Sequence, residues 1–166
     1  MTRQIVTAPD PVLHAVAAPV TGFGTSWLED LVADMARIRR EMGGAGIAAP
    51  QVGESVRIFL LDARRTDGTV APRHAGIVPM VVANPVIEAR HGDPEPGEEG
   101  CLSIPATLNE AGRISVRRVP VIDWSGQDMQ GAPIGGRLDG FAARAFQHEL
   151  DHLDGILITD PARDAM

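Results

Sequence analysis

The sequence predicts an α+β fold in which mixed or antiparallel β-sheets pack around a central helix near the C-terminus. Two segments carry apolar residues at helical spacing, one after Ser26 and one before Gly155. Between them, short apolar runs are separated by glycine and proline, a pattern typical of strands joined by turns. Strands packed against a late helix form an α+β arrangement. Residues 1–166 have the length of one catalytic domain, which would bury roughly 70% of its unfolded surface.

Two helices are predicted in the first part of the chain. Asp10 followed by Pro11 is typical of an N-cap and a first helical position, and we expect a short helix through Val16. Ser26-Trp27-Leu28-Glu29 fits a capping box, and Gly43-Gly44 would end the helix that it opens. The apolar positions of this second helix predict an amphipathic, core-facing helix without a chemical role. They are Leu28, Leu31, Val32, Met35, Ile38 and Met42.

Strands and loops are predicted over the middle of the chain, after a loop that contains Gln51. The expected strands span residues 56–62, 79–87, 113–124 and 129–136. Pro120 indicates an edge position or a bulge in the third of them. Ser125-Gly126-Gln127-Asp128 is a plausible hairpin turn. Residues 64–76 are polar and predict a loop, and residues 91–100, with two prolines and three glycines, predict a mobile one.

The last helix is predicted to begin after Asp139 as N-cap and to end with Gly155 near C′. Phe146, Leu150 and Leu153 give this helix an apolar face. We therefore expect it to pack against the strands.

Composition narrows the class of protein. The chain has 15 basic and 22 acidic residues, and its net charge of −7 argues against nucleic acid as a direct partner. All basic residues are arginine and tyrosine is absent, which excludes Schiff-base chemistry on lysine and acid catalysis by tyrosine. A single cysteine excludes an internal disulfide, the first residues lack the apolar core of a signal peptide, and no run has the length of a membrane span. These features predict a cytoplasmic enzyme without a membrane partner.

A metal site is indicated by Gln147-His148-Glu149-Leu150-Asp151-His152, which contains the pattern H-E-x-x-H. Histidines at i and i+4 differ by about 40° around a helix, so both imidazoles can reach one divalent cation. Glu149 would then lie beside a water molecule whose pKa the cation lowers. The alternative is a surface helix that carries two histidines and a glutamate by coincidence.

A third ligand must come from upstream. Residues 153–166 contain no histidine, cysteine or glutamate, which disfavours a general metallopeptidase with a downstream ligand. Asp154 is too close to His152, and Asp160 precedes a proline in an apparent exit loop. Upstream, Cys101 can supply a thiolate, which suits zinc or ferrous iron, although a lone cysteine is often a buried small hydrophobe. The remaining histidines have polar or proline-rich surroundings and are expected at the surface. They are His14, His74 and His91.

Three separated segments together resemble the signature motifs of peptide deformylases. They are Gly44-Ala45-Gly46-Ile47-Ala48-Ala49-Pro50-Gln51, Glu99-Gly100-Cys101-Leu102-Ser103 and the H-E-x-x-H segment. Their order and spacing agree with the family, and the resemblance extends from about Pro9 to about Asp160. It implies a metal-dependent hydrolase that removes the formyl group from formylmethionyl peptides of nascent proteins and releases formate.

The resemblance also implies roles for individual residues. Cys101, His148 and His152 would hold one divalent ion, with Fe²⁺ expected and Zn²⁺, Ni²⁺ or Co²⁺ able to replace it. Glu149 would take a proton from water and pass it to the departing amine. The side-chain N–H of Gln51 and the backbone N–H of Leu102 would stabilise the oxyanion. An alternative for Gln51 is an amide that pins its own loop.

Substrate contacts are implied at the rim of this site. The peptide backbone would pair near Gly46 and Gly100, and Ala45 would line an apolar pocket for the methionine side chain. Arg113 would hold the peptide or the loop, with a solvated surface arginine as the alternative. Gly44 and Gly46 would permit tight turns or a close backbone approach to the peptide, or merely end a helix.

The chain departs from many bacterial members at its C-terminus. Residues 161–166 are too short for the additional helix that docks some members on the ribosome, so transient ribosome association by that route is in doubt. The acidic stretch at residues 93–99 is expected to be a solvated loop or to disfavour acidic peptides. We expect a monomer. A specialised paralogue that deformylates another formylated molecule is the alternative to a housekeeping enzyme.

Overall fold

The computed structural model describes residues 3–62, 80–105 and 112–160. His74, the loop predicted at residues 64–76 and the tail at residues 161–166 lie outside these ranges. In the described part of the chain, the helices are α1 (Ser26–Met42) and α2 (Gly140–Leu153), with short 3₁₀ helices at Pro11–His14 and Ala49–Val52. The strands are β1 (Gly46–Ala48), β2 (Ile58–Leu61), β3 (Met80–His91), β4 (Glu95–Glu99), β5 (Ile114–Arg118), β6 (Val121–Gln127) and β7 (Pro133–Asp139).

The described strands form two antiparallel sheets. The larger has the order β1-β2-β3-β6-β7, and β4 pairs with β5 in a separate hairpin. Antiparallel sheets with helices packed on them confirm the predicted α+β class. No helix of the described ranges is long and apolar enough to cross a membrane.

Strand β2 is buried on both faces, which places one helix on each side of the sheet. Phe59 and Leu61 belong to a core cluster with Phe146 of α2, whereas Ile58 and Leu60 belong to a cluster with apolar residues of α1. Because successive strand residues point to opposite faces, these alternate residues contact different helices. The four residues of β2 are accordingly all apolar and all buried. Helices α2 and α1 therefore pack against opposite faces of β2.

The helix boundaries agree with the sequence prediction except at the end of the first, short helix and at the start of α1. Asp10 accepts a hydrogen bond from the Val12 N–H, but the 3₁₀ helix ends at His14 and does not reach Val16. For α1 the cap is Thr25, one residue earlier than the capping-box pattern predicts, and its Oγ1 accepts from the Leu28 N–H at 3.3 Å. Gly43 ends α1 in the left-handed conformation with φ of 69°.

Several predicted strands and loops are corrected by the structure. The predicted mobile loop at residues 91–100 is wrong, because β4 lies within it and pairs with β5. The single strand predicted at residues 113–124 is two strands in different sheets, interrupted at Val119-Pro120. The hairpin turn follows Gln127 and spans residues 128–132, where the Gly131 N–H donates to the Asp128 carbonyl. The loop with Gln51 contains β1 and a 3₁₀ helix.

We predict that Phe146→Ala lowers the free energy of unfolding by about 3–5 kcal/mol, because it opens a cavity in the core. Phe146 is fully buried and contacts Phe59 and Trp124 at ring-centroid distances of 5.0 and 5.2 Å. Chemical denaturation would measure the change. Phe141→Ala on the same helix is the matched control, since Phe141 is 54% exposed. Equal effects of the two substitutions would contradict this account of the core.

Candidate active site

Three potential metal ligands from two separate segments meet beside α2. Cys101 follows β4, and His148 and His152 lie one turn apart on α2. One ligand atom from each residue lies within 4.8 Å of the other two, and Cys101 Sγ is 3.4 Å from His152 Nε2. The two imidazole rings are 5.0 Å apart between centroids. Among the described residues, these are the side chains that could together hold an ion.

These side chains are enclosed because α2 is packed into the main sheet. Apolar residues of α2 face the core cluster, and the polar face of the same helix turns towards β1 and Cys101. His152 and Glu149 are only 1% and 4% exposed. The predicted surface histidines differ in this respect: His14 and His91 have side chains 45% and 43% exposed and pair with Asp160 and Asp123.

Glu149 lies directly against the backbone of Gly46. A Cβ atom added to Gly46 would be 2.2 Å from Glu149 Oε1, so only glycine leaves room for this carboxylate. The other oxygen, Oε2, is buried and has no hydrogen-bond partner in the described part of the chain. Burial raises the pKa of Glu149 to about 7, against the opposing attraction of His148 and Arg118. The carboxyl group is therefore suited to accept and return a proton near neutral pH.

Gln51 connects its own loop to the cysteine segment. Its Oε1 accepts a hydrogen bond from the Ala48 N–H at 2.9 Å, and its Nε2 donates to Ser103 Oγ at 3.2 Å. Nε2 also lies 3.7 Å from Cys101 Sγ. The side chain thus pins its own loop, which was the alternative to a role in oxyanion stabilisation. It also places its amide N–H groups beside the ligand cluster.

A buried carboxylate orients one of the two histidines. Glu99 Oε2 is 2.9 Å from His148 Nδ1, while Arg118 binds both oxygens of Glu99 and donates to Asp151. Burial raises the pKa of Glu99, but hydrogen bonds from His148 and Arg118 outweigh it and hold that pKa well below its usual range. A carboxylate that accepts from Nδ1–H leaves Nε2 of His148 available to a cation.

Glu99 is a buried residue of the candidate site that the sequence interpretation did not assign. The acidic stretch at residues 93–99 was expected to disfavour acidic peptides or to be a solvated loop, and the solvated alternative is wrong for Glu99, which is 6% exposed. Its place two residues before Cys101 was the available signal. Arg118 and Arg144, which both bind Glu99, carried no local signal at all.

The predicted substrate-binding residues lie at β1, next to Cys101 and beside β4, and their roles are still predictions. Gly46 is buried on β1, and the half-buried Ala45 accepts a hydrogen bond from the Asp62 N–H. Gly100 is exposed beside Cys101, and Leu102 follows with its side chain against Gly44. Arg113 is exposed and donates to the Glu98 carbonyl at 3.4 Å, a contact with the hairpin backbone.

The donor set fits a divalent transition metal. One thiol sulfur and two imidazole nitrogens form a three-ligand set, which is the number that catalytic zinc-type sites use when one position stays open. His148 Nδ1 is already bonded to Glu99, so its orientation is fixed for binding through Nε2. Beside these three ligands lies the buried Oε2 of Glu149. This oxygen can accept a hydrogen bond, and it has no partner among the described residues.

An α+β fold with an H-E-x-x-H helix and an upstream cysteine defines a metal-dependent hydrolase. The family model described as polypeptide deformylase matches residues 2–166. The chain therefore belongs to the polypeptide deformylase family, hydrolases that act on formylmethionyl peptides.

Individual relatives agree with this assignment. A peptide deformylase of Desulforudis audaxviator is 37% identical over 159 residues, which cover 96% of this chain and 92% of the relative. The crystal structure of peptide deformylase from Thermotoga maritima has a TM-score of 0.80 at 36% identity and covers 95% of both chains. A Met-Ala-Ser-bound class I type b peptide deformylase from Acinetobacter baumannii has a TM-score of 0.79 at 33% identity, covering 95% of this chain and 96% of that one.

We predict that Gly46→Ala reduces turnover by about 10²-fold or more, because the new Cβ displaces the Glu149 carboxylate from its position for proton transfer. Metal content should be unchanged, since the proposed ligands are elsewhere. Formate release and metal analysis would measure both. Gly22→Ala is the control, because its Cβ would approach only Thr25 Cγ2, at 3.8 Å. Normal turnover in Gly46→Ala would show that the carboxylate position is not critical.

We predict that metal binding to the metal-free chain releases protons. Burial lowers the pKa of His148, but hydrogen bonds with Cys101 and Glu99 outweigh it and raise that pKa to about 10. The imidazole is therefore protonated below that pH, whereas a ligand nitrogen must be neutral. Calorimetric titration with Co²⁺ near neutral pH, in buffers of different ionisation enthalpy, should show about one proton or more released per ion. Absence of release would contradict a protonated His148.

Proposed function

We propose that this chain is a cytoplasmic peptide deformylase that removes the formyl group from the N-terminal formylmethionine of nascent proteins and releases formate. The observation that supports this most directly is the convergence of Cys101, His148 and His152 beside a buried Glu149. The Met-Ala-Ser bound to the Acinetobacter baumannii relative supports a peptide beginning with methionine as the ligand class. Residues 1–166 are proposed to work as one catalytic domain.

Cys101, His148 and His152 are proposed to hold the metal. When bound, the cation would act as a Lewis acid that lowers the pKa of water and polarises the formyl carbonyl. Fe²⁺ is the proposed ion, and Zn²⁺, Ni²⁺ or Co²⁺ can take its place, because a thiolate with two imidazoles suits each of them.

Glu149 is proposed to move the protons that amide hydrolysis requires. Its buried Oε2 accepts a proton from the attacking water, and the protonated carboxyl then donates to the departing methionine amine. The absence of a side chain at Gly46 leaves the space that the carboxyl group occupies during both transfers. Release of formate and a free amine completes the reaction.

Two donors are proposed to stabilise the negative charge that develops on the formyl oxygen. Gln51 is oriented by its bond to the Ala48 N–H, so its Nε2 faces the cysteine segment. The backbone N–H of Leu102 directly follows Cys101. Removal of one such donor typically costs about 10²–10³-fold in rate.

The substrate contacts proposed from the family resemblance use the rim of the site. The peptide backbone would pair near Gly46 and Gly100, and Ala45 would contribute to the pocket for the methionine side chain. The contact of Arg113 with the Glu98 carbonyl favours a role in holding the hairpin near the peptide. We propose that the protein acts as a monomer. Transient association with the ribosome is a further proposal to be tested.

We expect the metal-loaded chain, kept reduced and anaerobic, to release formate from formyl-Met-Ala-Ser and to be inhibited by a chelating hydroxamate. Acetyl-Met-Ala-Ser and unblocked Met-Ala-Ser should yield no product, because the site is proposed to act on the formyl amide. Absence of formate from a chain shown to contain metal would refute the proposed activity. Cleavage of the unblocked peptide would instead indicate a peptidase.

Glu149→Ala serves as the diagnostic variant in the same assay. It should lose about 10²–10⁴-fold in turnover while retaining metal, because Glu149 is assigned to proton transfer and not to metal binding. Glu29→Ala on α1 is the control for a helical glutamate outside the site. A parallel loss of metal and activity in Glu149→Ala would show that the assignment is wrong.

A further inference from the structure

Arg144 joins the helix that carries the two histidines to the hairpin that precedes the cysteine. It lies one turn before His148 on α2, and its guanidinium donates to Glu99 Oε1 at 2.9 Å. It also donates to the Val116 carbonyl at 2.8 Å and to the Glu95 carbonyl at 2.9 Å. These acceptors belong to both strands of the β4–β5 hairpin. A single side chain therefore connects the two segments that supply the metal ligands.

Gly97 provides the space in which the Arg144 guanidinium lies. A Cβ atom added to Gly97 would be 2.6 Å from Arg144 Cζ and 2.7 Å from its Nη2. The guanidinium thus rests directly on the β4 backbone, two residues before Glu99. Any larger residue at position 97 would force the flexible end of Arg144 away from its three acceptors.

Arg144 adds to Arg118 and does not duplicate it. Arg118 is 6% exposed and binds Glu99 with two nitrogens while also pairing with Asp151. Arg144 shares Glu99 Oε1 with Arg118, but it also donates to carbonyls of both hairpin strands and has a side chain 19% exposed. The two guanidiniums match the charges of the two carboxylates in the group, Glu99 and Asp151. Charge-assisted hydrogen bonds of this kind are short and directional.

We propose that Arg144 is a positioning residue that acts through Glu99 and the hairpin, fixing the His148 imidazole relative to Cys101 and thereby raising the metal affinity of the site. The inference rests on the proposed function, since it assumes that these residues hold a metal. Cys101 is two residues after Glu99, and His148 is bonded to Glu99 directly. Loss of the Arg144 contacts would therefore loosen two ligands together. Changes to such supporting partners typically cost about 10–100-fold in metal affinity.

The test measures Co²⁺ binding to the reduced, metal-free chain by competition with a chelator and by visible absorption. Arg144→Met removes the contacts, and Gly97→Ala displaces the same guanidinium while leaving it in the chain. Each should weaken Co²⁺ binding about 10-fold or more and shift the absorption bands, which report ligand geometry. Arg144→Lys should restore part of the affinity, since it retains one charged donor. Combining Gly97→Ala with Arg144→Met should add no further loss, because both remove one set of contacts.

Arg137→Met is the matched control, because Arg137 is an exposed arginine paired with Asp123 on the main sheet. It should bind Co²⁺ as the parent does. Circular dichroism would confirm that each variant is folded. Parent-like affinity and spectra in both Arg144→Met and Gly97→Ala would overturn the inference while leaving the proposed function intact. A parent chain that bound no Co²⁺ would remove the proposed metal site, and this inference with it.

Discussion

The burial of α2 is the constraint on which the rest of the structure depends. The helix presents Phe146 to the core formed with Phe59 and Trp124, yet carries His148, Glu149 and His152 on its enclosed polar face. Ionisable groups removed from water destabilise a fold unless they are paired. The structure offsets this cost for His148 through Glu99, which Arg118 and Arg144 bind in turn. The active-site cluster and the buried charges that accompany it both result from the burial of α2.

Close packing at glycine couples the three motifs to one another. The sequence interpretation assigned Gly44 and Gly46 to turns or to contact with a peptide. In the structure, a Cβ at Gly44 would lie 2.8 Å from Leu102 Cδ1, and one at Gly46 would lie 2.2 Å from Glu149 Oε1. These glycines therefore admit side chains from the other two motifs, in addition to any role with substrate. A change in the first motif is transmitted to the carboxylate on α2 by steric contact.

The sequence was most informative where structure depends on neighbouring residues. The spacing of His148 and His152 follows from helical periodicity. The start of α1 follows from a capping side chain close in the chain, and both helices end beside a glycine in the left-handed conformation. Strand β4 could not be found in this way, because its glycine, its proline and its acidic residues are typical of a loop. It becomes a strand by pairing with β5, where Glu95 lies opposite Arg118. The burial of Glu99 depends on the same pairing, together with an arginine on α2.

The two histidines are held by different means, and this difference has a structural consequence. His148 Nδ1 is bonded to Glu99, whereas His152 Nδ1 is buried without a hydrogen-bond partner in the described part of the chain. Burial and the contact of its Nε2 with Cys101 Sγ orient His152, whereas Glu99 of the hairpin orients His148. Because the hairpin also leads into Cys101, two of the three proposed ligands depend on β4–β5 pairing, while α2 alone provides His152 and Glu149. The three proposed ligands therefore come together only where the hairpin packs against α2.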